Sequence, residues 1–295
     1  MLKVGRLLLL GACLFMAFAS GLAQAVTVRD DRQQEVTLSN PPRRIVSLLP
    51  SLTETVCALG QCHKLVGLDR YSNWPPVVRQ LPRLGGGLDP NIESVVAQRP
   101  DLVLMAASAR GAERLQALGI TVLVLEPRTH ADLQRVITTL ALALRVPAPE
   151  GERLWREINA GVQLAAQSLP AQAKGQKVYV EVSPAPYGAS ESSFIGETLT
   201  RMGLRNILSG SLGPFPKINP EFVVRAQPDI IMAGDSSRAS MLQRPGWSQL
   251  KVIQSNQVCV FTSEESDMLV RAGPRMADGA RLMAQCIARS QGGKP

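Results

Sequence analysis

A short sequence pattern that occurs once in each half of the chain most constrains the fold. From Glu93 the chain reads Glu-Ser-Val-Val-Ala-Gln-Arg-Pro-Asp-Leu-Val-Leu, and from Glu221 it reads Glu-Phe-Val-Val-Arg-Ala-Gln-Pro-Asp-Ile-Ile-Met. Without a gap, the glutamate, both valines, the proline and the aspartate coincide. Each copy has the form of a short helix, a Pro-Asp break and a buried strand. The repeat therefore predicts two related lobes, and ligands bind in clefts between lobes.

Short apolar, β-branched runs alternate with helical patterns on both sides of this repeat. The predicted strands are Arg44–Leu49, Leu65–Asp69, Leu102–Ala106, Thr121–Glu126, Lys177–Ser183, Asp229–Gly234 and Gln257–Thr262. The predicted helices between them are Ser51–Leu59, Asn91–Gln98, Arg110–Leu118, Thr129–Leu144, Ser193–Met202, Pro220–Ala226 and Ala272–Ser290. This alternation predicts an α/β fold of two Rossmann-like lobes with mostly parallel sheets and a ligand cleft between them.

One longer helix separates the two halves. After Pro147 and Pro149, the stretch Glu150–Leu169 has apolar residues at helical spacing and stops at Pro170. We therefore predict an N-terminal lobe over 26–147, a connecting helix over 148–170 and a C-terminal lobe over 171–295. A single helix resists hinge opening better than crossing strands would, so closure on binding is expected to be small.

The N-terminus has the composition of a secretory signal peptide. Basic residues precede an apolar run from Leu7 to Ala19, and Ala23-Gln24-Ala25 forms an A-x-A cleavage site. Cleavage after Ala25 predicts a periplasmic protein. The alternative is a lipoprotein box, Leu10-Gly11-Ala12-Cys13, that would lipidate Cys13 and attach the protein to a membrane.

The charge pattern is typical of a solvated surface. The net charge is +8, but Lys and Arg are scattered singly, without the basic runs or interleaved aromatics of a nucleic-acid site. We therefore expect no nucleic-acid partner, and we expect a monomer.

Four cysteines follow the predicted cleavage site: Cys57, Cys62, Cys259 and Cys286. In an oxidising compartment they fit up to two disulfides in three connectivities. A local bridge between Cys57 and Cys62 and free buried thiols both remain open.

No catalytic or metal-binding motif stands out. The two histidines, His63 and His130, are isolated and are predicted to lie at the surface. Neither G-x-S-x-G nor H-E-x-x-H occurs. We expect no catalytic residues, no bound metal and no cofactor.

Several motifs resemble the periplasmic binding proteins whose two lobes share one rigid backbone helix, a family that serves importers of siderophores, haem and cobalamin. They are Arg44-Ile-Val-Ser-Leu-Leu-Pro-Ser-Leu-Thr-Glu-Thr, Leu65-Val-Gly-Leu-Asp-Arg-Tyr-Ser-Asn-Trp-Pro-Pro, Asn91-Ile-Glu-Ser-Val-Val-Ala-Gln-Arg-Pro-Asp-Leu-Val, Phe194-Ile-Gly-Glu, Gly203-Leu-Arg-Asn-Ile, Pro245-Gly-Trp and Arg271-Ala-Gly-Pro-Arg. The resemblance runs from about Arg44 to Ala288 and is specific for the family rather than for the ligand.

Within this family the chain is most similar to the vitamin B12 receptors, in Tyr71-Ser-Asn-Trp-Pro-Pro, Pro214-Phe-Pro-Lys-Ile-Asn-Pro-Glu and Arg271-Ala-Gly-Pro-Arg. The resemblance implies a corrinoid ligand with Pro50 and Tyr71 on the first-lobe wall. On the second-lobe wall it implies Tyr187, Phe215, Asp267 and Arg271. A corrin is a wide, partly apolar disc fringed with amides, which suits aromatic faces and a few polar groups.

The sequence departs from the B12 receptors at two places. Gly85-Gly86-Gly87 stands where those receptors have a tryptophan, and Met202 stands where they have the cysteine that pairs with the position of Cys286. A ferric siderophore or haem is therefore the alternative ligand. A chelatase-like exported enzyme is the alternative from another functional class.

The repeat glutamates, Glu93 and Glu221, match the family positions that pair with arginines of the importer's membrane permease subunits. Each follows an asparagine, Asn91 or Asn219, that can cap a helix, and an acid in the first turn favours the helix dipole. Recurrence at the same position of both repeats favours docking, with the dipole role compatible.

Overall fold

The computed structural model describes residues 25–255 and 257–292. Residues 1–24 of the predicted signal peptide (1–25), including the alternative lipidation site at Cys13, lie outside them. Within the described ranges, every helix is too short or too polar to cross a membrane.

The first lobe is built on a four-stranded parallel sheet. Its strands are β3 (Ile45–Ser47), β4 (Leu65–Leu68), β5 (Leu102–Met105) and β6 (Val122–Val124), in the order β4-β3-β5-β6. They are preceded by an antiparallel hairpin, β1 (Val26–Arg29) and β2 (Glu35–Leu38), which the sequence did not predict. Strands of only four residues with charged ends give a weak alternation signal.

Four helices cover this sheet: α1 (Pro50–Ala58), α2 (Ile92–Ala97), α3 (Ala112–Ala117) and α4 (His130–Ala143). The sheet residues Ile45, Leu102 and Leu104 are fully buried. Burial on both faces is typical of parallel strands and explains their continuous apolar sequences. The predicted strands and helices of this lobe are confirmed, with ends that differ by one or two residues.

The predicted connecting helix is α5 (Ala148–Gln167). Its buried residues, including Leu154, Ile158 and Val162, recur at helical spacing and face the core. The helix begins before Pro149 rather than after it, because proline is tolerated in the first turn, where its missing N–H has no partner in any case. A Cβ at Gly161 would lie 2.6 Å from the Cβ of Ala277, so glycine allows the last helix to pack closely there.

The second lobe has a five-stranded sheet. Strands β7 (Lys177–Ser183), β10 (Ile230–Gly234) and β11 (Val258–Phe261) run parallel, β8 (Tyr187–Gly188) pairs antiparallel with β7, and β9 (Arg205–Asn206) pairs parallel with β7. Its helices are α6 (Phe194–Arg201), α7 (Pro220–Ala226), α8 (Asp235–Gln243), α9 (Lys251–Gln254), α10 (Ser263–Val270) and α11 (Met276–Gly292). The fold is thus two α/β lobes joined by one long helix, as predicted, and the exact domain bounds remain a prediction.

The C-terminal helical region differs from its prediction. We expected one helix over Ala272–Ser290 opened by Arg271, but two helices, α10 and α11, flank this arginine. Thr262 and Glu265 form a capping box that starts α10 early. Gly273 and Pro274 then prevent a continuous helix. Arg271 is therefore a residue of the bend.

Both cysteine pairs are disulfides, Cys57–Cys62 and Cys259–Cys286. The local bridge is confirmed. Cys286, whose partner position in the B12 receptors is occupied here by Met202, pairs instead with Cys259, because β11 places Cys259 against α11. Met202 is buried in the apolar core.

Candidate functional site

A cleft of about 360 Å³ lies where segments of both lobes face each other. Its first-lobe wall follows the carboxyl ends of β3, β4 and β6, where loops begin that can vary without disturbing the sheet. Its lining residues are Leu49, Pro50, Ser51, Tyr71, Glu126, Pro127, Arg128, Phe194, Phe215, Asp267, Val270, Arg271 and Ala272.

Five of the six predicted ligand residues line this cleft: Pro50, Tyr71, Phe215, Asp267 and Arg271. Tyr187 is not among the lining residues. It lies on β8, is 40% exposed, and forms a bridge to Lys217.

Three aromatic residues line the cleft, and the two that were predicted to bind the ligand, Tyr71 and Phe215, differ in how firmly they are held. Tyr71 is 60% exposed. Its backbone N–H donates to the Asp69 carboxylate at 2.7 Å, its carbonyl accepts from Arg271 at 3.0 Å, and the Arg70 guanidinium lies 5.8 Å from the centroid of its ring. Phe215 is half-buried and packs edge-on against Phe194, with ring centroids 6.2 Å apart. The Tyr71 ring is thus exposed and contacts the exposed guanidinium of its neighbour Arg70, whereas Phe215 packs against a second ring and offers a fixed surface.

Asp69 is a buried aspartate that shapes the Tyr71 loop. Burial raises the pKa of its carboxyl, while hydrogen bonds from Ser72 and from the backbone N–H groups of Tyr71 and Ser72 oppose that rise. The hydrogen bonds that its carboxylate accepts all come from its own turn. Its role is to fix the loop rather than to meet a ligand.

The polar residues of the second-lobe wall are already bound to the first lobe. The Arg271 guanidinium donates to Glu54 Oε1 at 2.8 Å, to Asn73 Oδ1 at 2.8 Å and to the Tyr71 carbonyl at 3.0 Å. It also pairs with Asp267 at 2.8 Å.

Glu54 on α1 is the centre of this arrangement. It is 3% exposed and accepts a second guanidinium, Arg275, through Nε at 2.9 Å and Nη2 at 2.7 Å. We call Glu54, Asp267, Arg271 and Arg275 the interlobe ion cluster. A buried carboxylate is tolerated here because two arginines satisfy it.

The sequence did not identify Glu54, Asn73 or Arg275 as functional residues. All three lie in the motifs that carry the family resemblance, but no spacing rule links α1 to the bend before α11. Arg271, predicted to face a ligand, is only 8% exposed, so most of its donors are used within the protein.

A second polar contact joins the lobes at His130, which is 3% exposed. Its Nε2 lies 3.0 Å from both the Phe194 carbonyl and Thr198 Oγ1, and its backbone N–H donates to Glu197 at 2.7 Å. Burial, reinforced by the positive charge of Arg201, lowers the pKa of His130 to about 4. The prediction that His130 lies at the surface is wrong, because the first turn of α4 packs against α6.

Gly85-Gly86-Gly87, which replaces the tryptophan of the B12 receptors, has a steric explanation. Gly85 has a φ of +104°, and a Cβ on Gly87 would lie 2.9 Å from the Leu48 carbonyl oxygen. The backbone approaches β3 too closely here for a side chain.

The predicted docking glutamates occupy equivalent places in the two lobes. Glu93 lies in the first turn of α2 and Glu221 in the first turn of α7, and both are exposed. Asn91 and Asn219 cap these helices by accepting backbone N–H groups. Glu93 is 3.9 Å from Arg114, so its pairing is weak.

The described residues contain no group of three or more His, Cys, Asp or Glu side chains arranged to hold a metal ion.

Residues 45–265 match the family model described as periplasmic binding protein. The chain belongs to this periplasmic binding protein family. A relative is the uncharacterized ABC transporter substrate-binding lipoprotein YvrC of Bacillus subtilis, 29% identical, with 89% of this chain and 85% of the relative covered. Another is a vitamin B12-binding protein of Pectobacterium carotovorum, 28% identical, covering 85% of this chain and 91% of the relative.

Among solved structures, this binding protein resembles a periplasmic heme-binding protein of Pseudomonas aeruginosa, with a TM-score of 0.74 and 23% identity over 84% of this chain and 93% of that one. At this identity the likeness shows the fold alone. The shared fold places the cleft of the periplasmic binding protein between two lobes.

Proposed function

We propose that this periplasmic binding protein is the substrate-binding component of an ABC importer and that it holds a corrinoid in the interlobe cleft. The observation that carries the proposal is the pair of aromatic surfaces, Tyr71 and Phe215, one on each side of the same cleft. Apolar ring faces on both walls suit a flat, partly apolar ligand. The relatives named for B12 binding and for ABC transport support this assignment.

We propose binding rather than catalysis. Asp267 and Arg271, the charged side chains of the second-lobe wall, form ion pairs within the interlobe ion cluster. His130 is buried, its lowered pKa keeps it neutral at pH 7, and it is not among the lining residues of the cleft. A chelatase-like enzyme needs metal ligands that converge, and the described residues offer no such group.

Haem is the second candidate, because Tyr71 is exposed in the cleft and a phenolate can ligate haem iron. Arg128, which is exposed and lines the cleft, offers a cation for a propionate. A tyrosinate-ligated haem would give a distinct visible spectrum that Tyr71→Phe removes. Under the corrinoid proposal no such spectrum forms.

A thermal unfolding panel separates these ligands, since a ligand that binds only the native state raises Tm. Cyanocobalamin is expected to raise the Tm of residues 26–295 in a concentration-dependent way, and haemin is not. The reverse result would replace the corrinoid proposal with haem. A ferric hydroxamate in the same panel covers the siderophore alternative.

Docking to the permease is assigned to Glu93 and Glu221. Both are exposed first-turn acids at matching places, which two arginine-bearing permease subunits could engage together. Glu93→Ala combined with Glu221→Ala is expected to keep ligand affinity and reduce uptake in cells. Unchanged uptake by the double variant would contradict this assignment.

The protein is proposed to act in the periplasm as a monomer after cleavage behind Ala25. Mass spectrometry of the exported protein tests this, since an N-terminus at Val26 supports cleavage and a lipidated Cys13 would contradict it. The relative YvrC is named a lipoprotein, so the same measurement should look for lipidation of Cys13 as well as for cleavage after Ala25.

A further inference from the structure

The side-chain amide of Asn73 contacts both charged residues of the second-lobe cleft wall. Its Nδ2 donates to Asp267 Oδ2 at 2.8 Å, and its Oδ1 accepts from Arg271 Nη1 at 2.8 Å. Asn73 belongs to the first lobe and is half-buried, and 194 and 198 residues of chain separate it from these two partners. Since both partners line the cleft, the amide bridges the two lobes at the edge of the ligand site.

Arg271 has little left to offer a ligand. Its Nη1 donates to Glu54 at 2.8 Å as well as to Asn73. Its Nη2 donates to the Tyr71 carbonyl at 3.0 Å and pairs with Asp267 at 2.8 Å. Each terminal nitrogen of a guanidinium carries two hydrogens, so both nitrogens are fully used within the protein. The guanidinium therefore supports the wall, with at most its Nε–H free for a ligand.

Asp267 has an unused acceptor. Its Oδ2 contacts both Asn73 and Arg271, whereas its Oδ1 makes no hydrogen bond to any residue that the structure describes. The side chain lines the cleft and is 26% exposed. An ionised carboxylate only accepts hydrogen bonds. The second-lobe wall therefore presents an acceptor, and the ligand group that suits it is an N–H or O–H donor.

The two contacts on Oδ2 fix the direction of Oδ1. The χ2 torsion of an aspartate has only a broad preference, and a single contact from Arg271 does not define it. A second contact from Asn73 to the same oxygen defines the plane of the carboxylate. Asparagine suits this position because one planar amide carries both a donor for Asp267 and an acceptor for Arg271.

We propose that Asn73 is a positioning residue of the corrinoid site, which orients Asp267 so that Oδ1 accepts a hydrogen bond from an amide N–H at the edge of the corrin. This inference rests on the proposed corrinoid function. The amides of a corrin supply neutral donors, whereas a carboxylate at the same place would be repelled by Asp267. The site thus selects a ligand fringed with amides over one fringed with carboxylates.

A double-mutant cycle between Asn73 and Asp267 tests this role, because residues that act as a unit have non-additive effects. Calorimetric titration with cyanocobalamin measures each affinity. Asn73→Ala alone is expected to weaken binding about three- to tenfold, the range for one hydrogen bond. In the Asp267→Ala background, the same change should weaken binding by less than about twofold. Equal losses in both backgrounds would overturn the inference, since Asn73 would then act without Asp267.

A second variant isolates the donor of the amide. Asn73→Asp keeps the size of the side chain and an acceptor for Arg271, but it places a second carboxylate against Asp267. Cyanocobalamin affinity should fall about tenfold or more, while the ligand-free protein should still unfold cooperatively in urea. Wild-type affinity in this variant would show that the donor to Asp267 is not needed, and the inference would be overturned.

Asn159→Ala is the matched control. Asn159 is also half-buried and its Oδ1 accepts from an arginine, Arg201, at 2.7 Å, but it lies on α5 outside the cleft lining. This variant should bind cyanocobalamin as tightly as the wild type. If the wild type and both Asn73 variants bind equally well, the positioning role is overturned and the corrinoid function stands. If the wild type binds no cyanocobalamin, the proposed function fails and this inference fails with it.

Discussion

The interlobe cleft and the interlobe ion cluster join the same two lobes in opposite ways. In the cleft, Tyr71 keeps 60% of its surface exposed and Phe215 is half-buried, so apolar surface is left for a ligand. In the ion cluster, Glu54 and Arg271 are 3% and 8% exposed, and their hydrogen bonds are made within the protein.

The two regions of the interface therefore have different roles. The ion cluster connects the lobes through buried hydrogen bonds and fixes their spacing, and the cleft between them exposes two aromatic rings. Buried ion pairs add geometric specificity rather than much net stability, but removal of one partner is costly because it leaves the other charge buried. We therefore expect the ion cluster to control stability and the aromatic residues to control affinity.

The largest expected effect is that of Glu54→Ala. It leaves the Arg271 and Arg275 guanidinium groups buried without their shared carboxylate, so the free energy of unfolding should fall by about 3–5 kcal/mol. Urea unfolding measures this change. Glu152→Ala, which removes an exposed pair to Arg156 at 3.6 Å, is the control and should change stability by less than about 0.5 kcal/mol. Equal effects of the two variants would show that the ion cluster does not hold the lobes together.

The next largest effect concerns the pH dependence of stability that arises from His130, a further polar contact between the lobes. Its pKa falls to about 4 on folding from an ordinary value of 6.5, so the unfolded state binds a proton first as pH decreases. Stability is thus fully present above pH 6.5 and is lost as pH falls toward 4, by about 3 kcal/mol.

Unfolding measured across this pH range should show that loss in wild-type protein and a smaller loss in His130→Gln. His63→Gln, at an exposed position, should keep the wild-type slope. A slope in His130→Gln as steep as that of the wild type would mean that another group is responsible.

Phe215→Ala tests whether the aromatic residues of the cleft control ligand affinity. Loss of a half-buried ring on the second wall should weaken cyanocobalamin binding by about 1.5–3 kcal/mol, or more than tenfold, as measured by titration. Phe222→Ala is the matched control, since Phe222 is also half-buried in this lobe but outside the cleft lining. Similar affinities for the two variants would remove Phe215 from the binding surface.

The smallest effect is expected for Tyr71→Phe. The ring face is kept and only the hydroxyl is lost, so cyanocobalamin affinity should change by no more than about threefold. A loss of a hundredfold or more would indicate that the phenol oxygen itself binds the ligand, which would favour a haem-like iron ligand over a corrin.

The sequence predicted the regular elements well because buried parallel strands have continuous apolar sequences. The strand prediction Lys177–Ser183 matches β7 residue for residue. The β1–β2 hairpin and the two-residue strands β8 and β9 were missed, since such short strands carry little periodicity. The helices α8, α9 and α10 were not predicted either.

The candidate site was predicted less completely, and Arg271 shows why. Resemblance placed it in the cleft wall, and it does lie there. Its engagement with Glu54 depends on how the lobes meet, across more than two hundred residues of chain, which no local pattern encodes. His130 was misplaced for the same reason, because its burial comes from α6 of the other lobe.

Calorimetric titration of residues 26–295 with cyanocobalamin tests the corrinoid assignment most directly. We expect saturable binding with a stoichiometry of one, because one cleft has aromatic surfaces on both walls. Absence of binding heat, together with no change in Tm, would contradict the corrinoid assignment and direct the search to haem and ferric siderophores.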